Sequence, residues 1–134
     1  MEIKRKIYQK LLKWKEENNG SKALFLEGAR RIGKSTIAKK FAQNEYDSFV
    51  LIDFNNISKK IKDNFDNLNN LDLFFQTISL EYNTKLYNRK SVIIFDEIQK
   101  FPRAREAVKY LVQDGRIDII ETGSLISIKE NVQN

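Results

Sequence analysis

Residues 27–36 read EGARRIGKST and follow the apolar run ALFL at 23–26. Two readings compete: a backbone cradle for a nucleotide phosphate, and a plain glycine-containing turn between a strand and a helix. Gly28, Gly33, Lys34 and Ser35 fill every fixed position of the spacing G-x-x-x-x-G-K-[ST]. That spacing has a physical cause. Successive N–H groups must turn inward around phosphate oxygens, and only minimal side chains leave room for them to do so. Lys34 then projects a point charge toward the β- and γ-phosphates, and the Ser35 hydroxyl is placed as a ligand for Mg²⁺. The helix from Lys34 aims its positive dipole end at the anion. The expected nucleotide contacts run over Gly28, Ala29, Arg30, Arg31, Ile32, Gly33, Lys34, Ser35 and Thr36. At ordinary glycine usage such a match arises by chance on the order of once in a few hundred chains of this size. This chain holds only 5 glycines, which makes coincidence rarer and favours the cradle.

A phosphate cradle calls for a second half-site on another buried strand. Residues 91–97, SVIIFDE, end four apolar residues with paired carboxylates. Asp96 at the strand tip is the candidate to hold Mg²⁺ through water, and Glu97 to orient or deprotonate the water that attacks the γ-phosphate. The competing reading is that the pair marks only where the strand meets solvent. Glu97 points away from small-molecule kinases and GTPases, which generally lack a glutamate beside the magnesium aspartate, and the chain has no N-K-x-D guanine-reading motif. The pair instead fits an ATP-hydrolysing order in which an extra strand separates the phosphate-loop strand from the magnesium strand. Residues 117–120 are the natural intervening strand. At its end, Thr122 or Ser124 could touch the γ-phosphate or the attacking water; either hydroxyl could equally cap a helix starting near Leu125.

The rest of the chain supports a parallel α/β architecture. Ile3, Ile7, Leu11 and Trp14 recur at helical spacing, giving a helix over 3–18. Strands are expected at 23–26, 49–54 (FVLIDF), 91–95 and 117–120. A helix from Lys34 buries Ile37, Ala38 and Phe41. Two more helices fill 57–82 with a break near Asn69 and Asn70, and another starts at Pro102 and stops at Gly115. Continuous apolar strands alternating with helices imply a mainly parallel sheet covered on both faces, a three-layer α-β-α arrangement.

Composition narrows the chemistry. The 134 residues suit one domain. Cysteine and histidine are absent, so disulfides, thiolate metal sites and His-based triads are excluded. No apolar run approaches the ~20 residues of a membrane span, and no signal-peptide core follows Lys4, Arg5 and Lys6, so a cytoplasmic protein with no membrane partner is expected. The net charge of +6 favours phosphate-bearing partners, although the basic residues are interleaved with Asp, Glu and Asn and equally read as solvated helix faces.

GARRIGKST, DEIQKFPRA at 96–104 and ETGS at 121–124 together resemble the prokaryotic AAA+-type ATP-binding proteins that carry a C-terminal region of poorly understood role. The resemblance covers most of the chain. It implies a P-loop NTPase fold of the ASCE type. It also implies that Lys34 and Ser35 bind phosphate and metal, that Asp96 holds magnesium, that Glu97 activates water, and that Thr122 or Ser124 occupies the sensor position. Members of the group are usually longer, continuing into a fifth core strand and a C-terminal region, whereas this sequence ends at Asn134. Residues 1–134 are accordingly expected to be the N-terminal nucleotide-binding domain of a larger protein, cut before the fifth strand, with any arginine finger and second sensor beyond the end. Arg30 and Arg31 are open to contact with phosphate, with a partner subunit or with nothing, and the sequence selects none of Arg103, Arg105 and Arg116 to act in trans.

Three functions follow in descending order. The first is an ATPase that uses ATP and Mg²⁺, releases ADP and drives conformational change. The second is a nucleotide-dependent switch with little turnover, acting on a protein partner or within a homo-oligomer. The third is a DNA-associated module, motivated only by charge.

Overall fold

The computed structural model describes residues 2–28 and 33–124. The helices are α1 (Glu2–Asn18), α2 (Lys34–Glu45), α3 (Lys59–Asn64), α4 (Leu71–Glu81) and α5 (Pro102–Asp114), and the strands are β1 (Leu24–Glu27), β2 (Ser48–Asp53), β3 (Ser91–Asp96) and β4 (Asp118–Gly123). All strand pairs are parallel, in the order β1-β4-β3-β2. The last of the described strands, β4, thus lies between β1 and the strand ending in Asp96, as the acidic pair at 96–97 implied. Among the described residues β1 and β2 form the two edges.

Side chains alternate across each strand, so both faces of the sheet can be read from the sequence. On β3, Val92 and Ile94 pack with Leu11 and Trp14 of α1 and with Ile37, Ala38 and Phe41 of α2. Ile93 and Phe95 pack on the other face, with Ile61 of α3, Phe74 and Ile78 of α4, and Ala107 and Leu111 of α5. This two-sided burial explains why SVIIF is continuously apolar: every residue of β3 is buried. Removing an isoleucine side chain from water contributes about 1.5–3 kcal/mol, so each face of β3 supplies a substantial share of the stability.

Side-chain hydrogen bonds set several boundaries. Asn70 accepts from the Leu73 amide and starts α4 at the Asn-rich break. Ser58 does the same for α3 through the Ile61 amide. Gly115 ends α5 at φ 78°, where its lack of a Cβ avoids the steric cost of left-handed backbone. At the opposite end of the sheet from the candidate site, buried Asp118 accepts hydrogen bonds from the Tyr46 hydroxyl at 2.5 Å and from Arg89 Nη1 at 2.8 Å, tying the end of α2 to the start of β4. Burial, reinforced by the Asp118 carboxylate, pushes the Tyr46 phenol far above its ordinary pKa.

Two elements differ from the sequence expectation. β4 continues through Glu121, Thr122 and Gly123 rather than stopping at Ile120, and a single 3-10 turn at Ile98–Lys100 follows β3. Both differences bear on the candidate site. The expected helix near Leu125 lies outside the described residues.

Candidate functional site

Parallel strands bring their carboxyl ends to one edge of the sheet, and a ligand-binding crevice forms there in open α/β folds. Asp53 and Asp96 are in register, as are Leu26 with Thr122 and Glu27 with Gly123. The end of β1, the first turn of α2, the tip of β3 and the end of β4 therefore converge. Gly33 joins the loop to α2 at φ 68°. Among the described residues, the nearest atom to a Cβ built there is Lys4 Cε at 3.8 Å. That left-handed conformation is what calls for glycine at this position.

From that entry the first turn of α2 presents Lys34, Ser35 and Thr36. The first N–H groups of a helix have no acceptor within the helix, so this end is disposed toward an anion. The Ser35 hydroxyl donates to Asp96 Oδ1 at 2.5 Å, and the Thr122 hydroxyl donates to the same oxygen at 2.7 Å. Thr122 Oγ1 also accepts from the Glu97 amide at 3.0 Å. One hydroxyl thereby fixes both acidic residues relative to β4. The Lys34 ammonium, only 2% exposed, lies 3.2 Å from the Gly28 carbonyl oxygen and 3.4 Å from Glu97 Oε2. Such burial is tolerable for a cation because a carboxylate and a carbonyl replace the lost water.

Glu97 occupies the left-handed backbone region at φ 58°, which costs a non-glycine residue about 1 kcal/mol. The conformation turns the chain sharply out of β3 into the 3-10 turn, and leaves the Glu97 carboxylate facing Lys34 instead of following the strand. Gln99 in that turn donates from Nε2 to Glu97 Oε1 at 2.7 Å. A cleft of about 360 Å³ opens between the first turn of α2 and the side chains of Asp53, Asn55, Asp96 and Glu97. A larger groove of about 540 Å³ lies between α1 and α2, where Lys4, Arg5 and Lys40 line it, and the two share Thr36. The smaller cleft is the one that holds both carboxylates and the buried lysine.

Of the residues singled out by sequence, Gly28, Gly33, Lys34, Ser35, Thr36, Asp96, Glu97 and Thr122 come together here. Ala29, Arg30, Arg31 and Ile32 lie outside the described residues. The hydroxyl that meets Asp96 is that of Thr122, a strand residue, while Ser124 follows the end of β4. Arg103 pairs with Asp66, Arg116 with Asp72 and Asp114, and Arg105 lies 5.2 Å over the Phe25 ring. Sequence reading missed Asp53, Asn55 and Gln99. Asp53 carried a usable signal, since it ends the apolar run FVLI as Asp96 ends SVIIF. Nothing in the sequence set Asn55 apart, and Gln99 stood only within the DEIQ stretch, with no role of its own.

Asp96 and the Ser35 hydroxyl are hard oxygen donors side by side, a set that suits Mg²⁺. Among the described residues no group of three or more His, Cys, Asp or Glu could cage a metal. Magnesium in phosphate sites is ordinarily held by one or two carboxylates with phosphate and water, so the donor set fits.

No helix among the described residues is long and apolar enough to cross a membrane. No curated protein and no solved structure matches the chain. A family model described as an AAA domain matches residues 20–134, from just before β1 to the last residue. With this match, the four-stranded parallel sheet and the meeting of Lys34 and Ser35 with the tip of β3, the chain belongs to the AAA domain family of nucleotide-binding ATPases.

Proposed function

We propose that this chain is the nucleotide-binding domain of a longer cytoplasmic protein, in which it hydrolyses ATP with magnesium to drive conformational change. One observation carries the reading. The strand-tip pair Asp96–Glu97 meets the loop pair Lys34–Ser35 side chain to side chain, carboxylate to hydroxyl and carboxylate to ammonium.

Each residue then has a task. The 28–36 loop and the first turn of α2 receive the phosphates, with Lys34 moving its charge from Glu97 to the β- and γ-phosphate oxygens. Ser35 and Asp96 would hold magnesium, which when bound neutralises charge on the phosphates. Thr122 keeps Asp96 oriented and senses the γ-phosphate side of the site. Glu97 takes a proton from a water whose oxygen bonds to the γ-phosphorus. The bond from that phosphorus to the bridging oxygen breaks, and the electron pair leaves with ADP.

The test is Glu97→Gln in the intact protein. General bases contribute about 10²- to 10⁴-fold, so turnover should fall by that order while MgATP binding persists. Unchanged turnover would remove Glu97 from the mechanism. A wild-type protein that retains nucleotide with negligible turnover would replace hydrolysis by switching.

A further inference from the structure

Two residues of the DEIQ and ETGS stretches have no task in that scheme: Gln99 and Gly123. We infer that Gln99 and Gly123 form one device that positions the Glu97 carboxylate. The inference rests on the water-activating role proposed for Glu97 and adds the residues that aim it.

Glu97 Oε1 lies 2.7 Å from Gln99 Nε2, and Gln99 is only 4% exposed. A carboxylate can only accept, so the Gln99 amide must turn its NH₂ toward Glu97. Its carbonyl oxygen is thereby sent the other way, toward the end of β4. There it meets Gly123. A Cβ built on Gly123 would stand 2.5 Å from Gln99 Oε1 and 3.3 Å from the Phe25 ring. Gly123 is not one of the glycines with a positive φ. Its need for glycine is therefore one of space: a methyl at this position would take the volume that the Gln99 carboxamide fills.

The rest of the geometry converges on the same carboxylate. Glu97 is held at its amide by Thr122, at Oε1 by Gln99, and at Oε2 by Lys34. When Lys34 turns to phosphate, the Gln99 hydrogen bond still restrains the carboxylate. Thr122 and Gly123 then act as a pair: the first fixes the Glu97 backbone and the second makes room for the side chain that fixes its carboxylate. The acidic pair and the end of β4 are coupled through contacts of named atoms, which accounts for both otherwise idle residues.

The test uses Gln99→Met, which keeps approximate volume and removes the donor, and Gly123→Ala, which leaves Gln99 intact but pushes its amide aside. Turnover, KM and MgATP affinity are measured in the intact protein for each, for the double variant and for Glu97→Gln. Misplacing a reacting group by about 1 Å costs on the order of 10²-fold. Both single variants should lose about 10- to 100-fold in kcat with ATP affinity within about threefold. The double variant should be no worse than the poorer single, because both remove the same contact. Unchanged kcat in Gln99→Met and Gly123→Ala, beside an inactive Glu97→Gln, would overturn the inference and leave the function standing. Losses that multiply in the double variant, or that fall on affinity as much as on kcat, would overturn it as well. A fully active Glu97→Gln would overturn the role of Glu97 itself, and the positioning device with it.

Discussion

Glu121 and Thr122 are neighbours on β4 that face opposite layers. Thr122 turns to Asp96 in the cleft, and Glu121 turns to the α5 side, where it is only 8% exposed. Burial pushes the Glu121 carboxyl above its ordinary pKa, and the Arg105 guanidinium offsets part of that effect. A carboxyl whose pKa is raised on folding favours the folded state while both states are protonated. That contribution is lost as pH rises through the folded pKa. Glu121→Gln should therefore unfold at higher temperature than the wild type at pH 7, with the gap closing below about pH 4, the unperturbed glutamate range. Melting curves at the two pH values check this; a gap that is constant with pH would contradict it. The same pair shows where residue-level reading stops. Thr122 was legible as a candidate because a hydroxyl followed an apolar run, but choosing between Thr122 and Ser124 needed the strand register, which no local pattern encodes. Gln99 was illegible for a related reason, since its carboxamide acquires meaning only once the left-handed turn at Glu97 folds it back against β4.

At the scale of elements, the α3–α4–α5 layer is organised by aromatic rings. Phe65, just after α3, meets Phe54, Phe74, Phe95 and Phe101 at centroid distances of 6.0, 5.3, 5.9 and 5.4 Å. The contact with Phe54 is tilted and the other three are edge-to-face. Such ring pairs contribute beyond area burial, and truncating a buried phenylalanine costs about 3–5 kcal/mol. Phe65→Ala should lower the denaturation free energy by that amount, read from urea unfolding; a change under about 1 kcal/mol would show that the short α3 is a passenger. Elements of this kind were readable from periodicity, because both faces of the sheet are covered and every strand is an apolar run. Their ends were less so. β4 outlasts its apolar run by three residues because Asp96 and the Glu97 amide satisfy the Thr122 hydroxyl, a tertiary effect absent from hydropathy. The 3-10 turn after β3 follows from the positive φ of Glu97, which the sequence IFDEIQ does not announce.

For the whole molecule, the sheet order was the most demanding expectation, and it came from chemistry instead of propensity. A glutamate beside the magnesium-type aspartate implied an intervening strand, and β4 lies between β1 and β3. The basic residues proved less informative. Lys4, Arg5 and Lys40 gather along the α1–α2 groove, but their distribution is equally that of a solvated helical layer. In the function proposed above, the 28–36 loop and the tip of β3 together make a working nucleotide site. Calorimetric titration of this chain with MgATP, beside a Lys34→Ala variant of matched circular dichroism, tests it most directly. Saturable binding by the wild type that is abolished in the variant is the predicted result. No binding by the folded wild type, or equal binding by the variant, would rule out a nucleotide site at these residues.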